Sequence, residues 1–232
     1  MRIAITGASR GLGLEFVRLY LEEGHQVLAL ARQPERSHGL AALQSKHASH
    51  LTCLSCDVAD EKSVGAAAAQ ARKLSDSLDL LINNAGTYGT RDENVMSIDF
   101  ERMRAVFETN TFGPLRLVRA FLPLLEKAAP SKVVHLTSLM GSMEDNRSGG
   151  AYAYRMSKAA LNMASVNLAL DLKQRGILSA VVHPGWVKTD MGGAGAPLEI
   201  EDAVKAMVQT IGRLKPEQSG GFFDRHGKPQ PW

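Results

Sequence analysis

Tyr154 and Lys158, in the run YRMSK, stand four positions apart at the start of a helical pattern that extends to about Arg175. A helix turns once every 3.6 residues, so this spacing puts a phenol and an ammonium on one face, one above the other. An ammonium nearby favours the ionised phenol and draws its pKa down from about 10. A tyrosine tuned in this way can exchange a proton with a carbonyl or alcohol oxygen. A pair this short also recurs by accident, as a surface tyrosine above a solvated lysine, so other residues must supply the context.

The strongest context is at the start of the chain. RIAIT reads as a buried strand and TGASRGLG as a tight turn, followed by a helix with Leu14, Val17 and Leu21 on one face and Gly24 as its stop. Gly7, Gly11 and Gly13 form TGxxxGxG, not the GxGxxG dinucleotide fingerprint, but the physics is shared. Small residues let the backbone turn and approach a pyrophosphate, with free N–H groups of the helix start aimed at it. No GK[ST] ending follows, which argues against a P-loop nucleotidase. A second strand, about Gln26 to Ala31, ends beside Arg32, where dinucleotide folds place an acid for a ribose hydroxyl or an arginine for a 2′-phosphate. Arg10 and Arg32, with no acid there, point to NADP rather than NAD.

These groups need a frame, and the chain alternates strands with helices. A polar helix near Ser37 to Lys46 precedes a third strand, about Leu51 to Leu54, which leads into Cys56-Asp57-Val58. Asp57 stands either at an adenine edge or in a helix cap that Asp57 or Asp60 provides. A helix over EKSVGAAAAQARKL and a fourth strand in LDLLINNAG follow, and NNAG offers amides and a glycine where the strand gives out. FERMRAVFETNTFGPLRLVRAFLPLL reads as one long helix, about Asp99 to Leu125, with Phe100, Met103, Phe107, Leu115, Val118 and Leu122 as packing positions. Asn110, Gly113 and Pro114 interrupt it. Such a break is either a plain kink or a means of releasing a backbone carbonyl to a relay water.

A fifth strand, SKVVHLTS, puts Ser138 at its carboxyl end, with Ser142 and Ser148 as rivals in the Gly- and Ser-rich connection to Tyr154. His183 ends a sixth strand with no carboxylate near it in sequence, and reads as structural. PGWVKTDMGGAGAP is a loop able to close over a ligand, with Trp186 and Met191 as apolar wall and Thr189 as a polar handle. A last helix spans about Glu199 to Gly212, and a short strand lies near Gly221 to Asp224.

Composition narrows the function classes. At 232 residues, 44% hydrophobic and 22% charged, the chain suits one globular α/β domain. A formal charge of +3 on scattered basic residues gives no nucleic-acid face. The sequence opens on a strand, without the pattern of a signal peptide, and has no long apolar run, so no membrane contact and a cytoplasmic location are expected. Cys53 and Cys56 form CLSC on a strand, where positions three apart face opposite ways, so they read as structural thiols and no metal site is expected.

TGASRGLG at 6–13, NNAG at 83–86, Asn110, Ser138, YRMSK at 154–158 and PGWVKTD at 184–190 resemble, in order and spacing, the short-chain dehydrogenase/reductase family along essentially the whole chain. NRSGGAYAYRMSKAALNM and the closing PW resemble its C-factor and sniffer-type carbonyl reductase group. The resemblance implies a single α/β Rossmann-type doubly wound domain over 1–232, with a mostly parallel seven-stranded sheet and helices on both faces. The substrate site would lie among loops 87–97, 139–153 and 185–199.

Position by position, Tyr154 would be the general acid, Lys158 would tune it and bind the nicotinamide ribose, Ser138 would hold the substrate oxygen and Asn110 a relay water. NADP(H) would contact Gly7, Ser9, Arg10, Gly11, Leu12 and Gly13, then Arg32, Asp57 and Val58. Asn83, Ala85 and Gly86 would meet its ribose, and Pro184, Gly185, Val187 and Thr189 would surround its nicotinamide. The serine-to-tyrosine interval is longer than in the commonest members, which leaves Ser142 as an alternative to Ser138. Met140, Met143, Trp186 and Met191 suggest an apolar pocket for a small hydrophobic ketone or aldehyde. A homodimer through the two long helices, or a homotetramer, is the assembly implied. The alternative is a dinucleotide-binding signalling or regulatory protein of C-factor type with incidental turnover.

Overall fold

The computed structural model describes residues 1–91 and 93–232. Seven strands form one sheet: β1 (Arg2–Thr6), β2 (Gln26–Ala31), β3 (Leu51–Ser55), β4 (Leu80–Asn83), β5 (Ser131–Leu136), β6 (Ile177–His183) and β7 (Phe222–Asp224). They lie in the order β3-β2-β1-β4-β5-β6-β7, and every neighbouring pair is parallel. Side chains alternate along a strand, so β1 sends Ile3 and Ile5 to one core and Ala4 to the other. Both faces are buried, which is why these strands are nearly continuous apolar runs.

Helices α1 (Gly11–Glu22), α2 (His38–Lys46) and α7 (Ile200–Arg213) cover the first core, with Phe16, Val17, Leu40, Val204 and Met207 among its members. Helices α3 (Glu61–Leu74), α5 (Gly113–Lys127) and α6 (Tyr152–Leu172) contribute Val64, Ala68, Leu117, Phe121 and Leu172 to the second. Helix α4 (Phe100–Phe107) precedes α5. Caps mark several starts: Ser37 accepts the Leu40 amide, Asp60 the Lys62 amide and Asp99 the Arg102 amide. Asp60 thus caps α3, while the Asp57 carboxylate accepts the Ala59 amide in the preceding turn.

The long helix expected from Asp99 to Leu125 is two helices joined by a π turn over Glu108–Phe112. Phe100, expected to pack, is the first residue of α4 and is 63% exposed, whereas Val106 is buried. Pro114 has no N–H for the Asn110 carbonyl four residues earlier, which accounts for the change of helix type at this point. No helix among the described residues is long and apolar enough to cross a membrane.

Candidate active site

Strand order reverses between β1 and β4, and their carboxyl ends diverge into a crevice, the usual ligand position in open parallel sheets. Thr6 stitches the two ends together: its hydroxyl accepts the amides of Asn84 and Ala85, both at 3.0 Å. The Asn84 amide group donates back to the carbonyls of Thr6 (2.8 Å) and Gly7 (3.3 Å). Gly7 turns with φ 63°, and a β-carbon on it would lie 2.9 Å from the Ala85 Cα. A β-carbon on Gly13 would meet the Gly7 carbonyl oxygen at 2.2 Å, so the loop closes onto α1 only without side chains. Helix α1 starts with no side-chain cap and no acid in its first turn, which leaves its amides free for an anion.

A cleft of about 450 Å³ runs from this loop along the sheet end. Gly7, Ser9, Arg10, Gly11, Leu12 and Gly13 line it, as do Arg32, Asp57, Val58, Ala85, Gly86, Pro184 and Thr189. Tyr154 and Lys158 close its far end. Three expected contacts lie outside the lining. Asn83 turns its side chain into the protein, with its amide nitrogen 3.1 Å from His135 Nδ1, and the neighbouring Asn84 faces the cleft in its place. Gly185 and Val187 support the loop behind the lining, Val187 by bridging to Leu198. Beside the glycine loop a second cavity is bounded by Ser9, Arg10, Arg32, Gln33, Arg36 and Ser37, so three guanidinium groups surround one space. Arg10 also pairs with Asp190 at 2.6 Å, with both side chains about three-quarters exposed (74% and 76%). Such a pair is weak and yields easily to a stronger anion.

At the far end, Tyr154 is 7% and Lys158 4% exposed. The Lys158 ammonium donates to the Leu136 carbonyl at 2.7 Å and stands 5.8 Å from the centre of the Tyr154 ring. Burial pushes the phenol up to about 12; the Ser138 hydroxyl opposes that rise and Tyr88 adds to it. The lowering expected from Lys158 is not found, because the spacing in the helix sets the face but not the depth of burial, and burial sets the direction of the shift. Burial also lowers Lys158 to about 8. At neutral pH the phenol holds its proton.

Of the candidate serines, Ser138 is the one beside the phenol. Ser142 donates to the Trp232 carbonyl (3.0 Å) and accepts the Asp145 amide, and Ser148 accepts from Arg155. Asn110 is fully buried: its side-chain oxygen accepts the Thr87 amide, and its nitrogen donates to the Thr87 carbonyl and to the Ser157 hydroxyl. Gly86 leaves room between them, since a β-carbon there would lie 3.4 Å from Asn110 Oδ1 and 3.7 Å from Lys158 Nζ.

The loops expected to frame a substrate site meet above this end; of loop 87–97, Asp92 lies outside the described residues. Tyr88 stacks on Tyr154 with ring centres 4.5 Å apart, and its hydroxyl approaches the Met140 sulfur at 3.8 Å. Arg91 lies over the Tyr88 ring and donates to the Met191 carbonyl at 2.6 Å, which ties loop 87–97 to loop 185–199. Met191 lines the cleft, but Met143 (76%) and Trp186 (59%) are exposed, and the Trp186 indole donates to the Gly192 carbonyl instead of forming a wall. His183 is lowered to about 4, by burial first and then by Arg225. Cys53 and Cys56 pack into opposite cores and cannot share an ion or a disulfide. Burial raises both thiols, Cys56 to about 12. Asn84, Arg36 and Tyr88 complete the site without having been singled out from the sequence. NNAG contained the first, the run ARQPER the second, and no local signal marked the third.

A family model described as short chain dehydrogenase matches residues 1–197. The C-signal protein of Myxococcus xanthus is 48% identical over 155 residues, which is 67% of this chain and 93% of that protein. Two solved structures superpose on the whole chain. Carbonyl reductase Sniffer of D. melanogaster has a TM-score of 0.95 at 34% identity, with 99% of it covered. The NADPH-bound carbonyl reductase from chicken fatty liver has a TM-score of 0.92 at 35% identity, with 98% covered. The chain therefore belongs to the short-chain dehydrogenase/reductase family, and within it resembles the C-factor and sniffer-type carbonyl reductases.

Proposed function

We propose that this protein is an NADPH-dependent carbonyl reductase that turns a small hydrophobic ketone or aldehyde into an alcohol, with Tyr154 as the general acid. The observation that carries the reading is one cleft with a buried, protonated phenol and a buried lysine at one end and guanidinium groups at the other. The residues fit the dinucleotide. Side chains on Gly7 or Gly13 would collide with the Ala85 backbone or the Gly7 carbonyl and so disrupt the turn that would cradle it, the uncapped start of α1 suits its pyrophosphate, and Arg10, Arg32 and Arg36 suit a 2′-phosphate. When bound, NADPH supplies the hydride.

The chain's own residues handle the proton. The Ser138 hydroxyl orients the substrate oxygen beside the phenol, and Tyr154 delivers its proton to that oxygen. The phenolate left behind is costly in a buried site, and the Lys158 ammonium offsets that charge. Asn110 holds Thr87 against the helix through its side chain, and its backbone carbonyl lacks the usual partner at Pro114, which suits it to a water that refills the proton. Tyr88, Met140 and Met191 provide the apolar surface.

The 48% identity to a protein called C-signal favours a second reading, a dinucleotide-binding signalling protein whose turnover is incidental. A panel of aldehydes and ketones, followed at the NADPH absorbance with NADH in parallel, separates the two. Turnover with NADPH is expected. No oxidation across the panel favours the signalling reading, and equal binding of NADH would remove the role given to the arginines.

A further inference from the structure

Helix α6, which carries Tyr154 and Lys158, starts without a cap of its own. Ala151, just before it, has φ 45° and ψ 45°, a left-handed conformation that residues with a β-carbon rarely adopt. Gly149 and Gly150 are left-handed as well, at φ 62° and 64°. None of the three has a side chain that can accept a hydrogen bond, yet the first amides of a helix need acceptors.

Those acceptors come from the loop after β4. The Glu93 backbone carbonyl accepts the Ala151 amide at 3.1 Å, and its carboxylate accepts the Ala153 amide at 2.8 Å. Glu93 is 4% exposed, and no ion pair among the described residues includes it. A buried carboxylate needs compensation, and here the positive end of a 21-residue helix provides it. Five residues earlier on the same loop, Tyr88 stacks on the Tyr154 ring. The loop therefore grips both the backbone just ahead of the phenol and the phenol itself.

We propose that Glu93 is a positioning residue for the proton transfer, its carboxylate capping the catalytic helix so that Tyr154 stands where its proton is delivered. The inference rests on the reading of Tyr154 as proton donor. It distinguishes two substitutions: Glu93→Ala removes the acceptor, whereas Glu93→Gln keeps an oxygen for the Ala153 amide and removes only the charge.

The test measures kcat, KM, NADPH affinity and amide hydrogen exchange at Ala153 for the full-length protein and both variants. Glu93→Ala is expected to lower kcat by about tenfold or more, because small misplacements of a reacting group are costly. NADPH affinity should hold, Ala153 protection should be lost, and Glu93→Gln should recover most of both losses. The proposal is overturned if Glu93→Ala keeps its kcat, if Glu93→Gln is equally impaired, or if kcat falls only in step with NADPH binding. Wild-type turnover in the same assay judges the proton-donor reading separately. If the wild type is inactive, or Glu93→Ala does not fold, exchange at Ala153 in Glu93→Gln decides: retained protection supports the cap and lost protection overturns it.

Discussion

The two ends of the cleft are built in opposite ways. At the glycine loop the site consists of missing side chains: Gly7 and Gly13 bring backbone against backbone, the start of α1 offers bare amides, and exposed arginines stand around the rim. At the proton-transfer end the site consists of buried side chains, with Tyr154, Lys158 and Asn110 each under a tenth exposed and two ionisation equilibria moved by burial. The first end is suited to binding a large anion in partial contact with water. The second holds a buried phenol whose pKa burial raises to about 12. The difference teaches that the glycine-loop end depends on local backbone geometry, whereas the buried end depends on side chains brought together from distant elements.

That contrast can be broken from either side. Gly13→Ala, with a β-carbon 2.2 Å from a backbone oxygen that has no flexible end to move, should have the largest effect on the binding end. NADPH affinity measured by fluorescence titration should fall about 100-fold, matching about 2–3 kcal/mol of overpacking. A wild-type affinity would mean that the loop is not the cradle. Arg32→Ala should weaken NADPH about tenfold and leave NADH unchanged, because a charge-assisted bond to one phosphate is lost. Equal losses for both would show a general effect on the loop.

A different kind of effect, on stability, concerns the support behind the proton-transfer end. His135 is fully buried, with its pKa pushed down to about 3 by burial and then by Lys158. The unfolded chain protonates this imidazole near 6.5 and the folded chain near 3, so between those values the unfolded form binds more protons. Stability should therefore be full above about pH 6.5 and fall as the pH drops toward 3. Urea midpoints across that range should show a shallower slope for His135→Asn. His183, lowered to about 4, acts with the same sign and should keep part of the slope.

Much of the binding end was legible because it is local. The strand before Gly7, the helix after it and the arginine after β2 lie within one stretch of chain, and alternation along β3 separated Cys53 from Cys56. Adjacent asparagines at the end of β4 showed the limit: Asn83, its last residue, and Asn84 face opposite ways, and the motif alone does not say where the strand stops. The proton-transfer end was legible in its residue types but not in its energetics. A four-residue spacing places Lys158 near Tyr154, yet the enclosing elements, which bury both groups, decide the direction of the phenol's shift. Phe100 was misplaced because periodicity marks a face of a helix but not how far along it the packing reaches: Phe100 is the first residue of α4, where the buried position is Val106. Glu93 left no pattern at all, since it caps a helix that begins some 60 residues later.

The central claim is that one phenol carries the proton while the rest of the cleft binds NADPH. Tyr154→Phe removes one oxygen and keeps the ring stacked on Tyr88, so kcat and NADPH affinity measured on the same preparation test it directly. The account predicts that kcat falls about 1000-fold or more while NADPH affinity stays within about twofold of wild type. Near-normal NADPH-dependent reduction by Tyr154→Phe would contradict it.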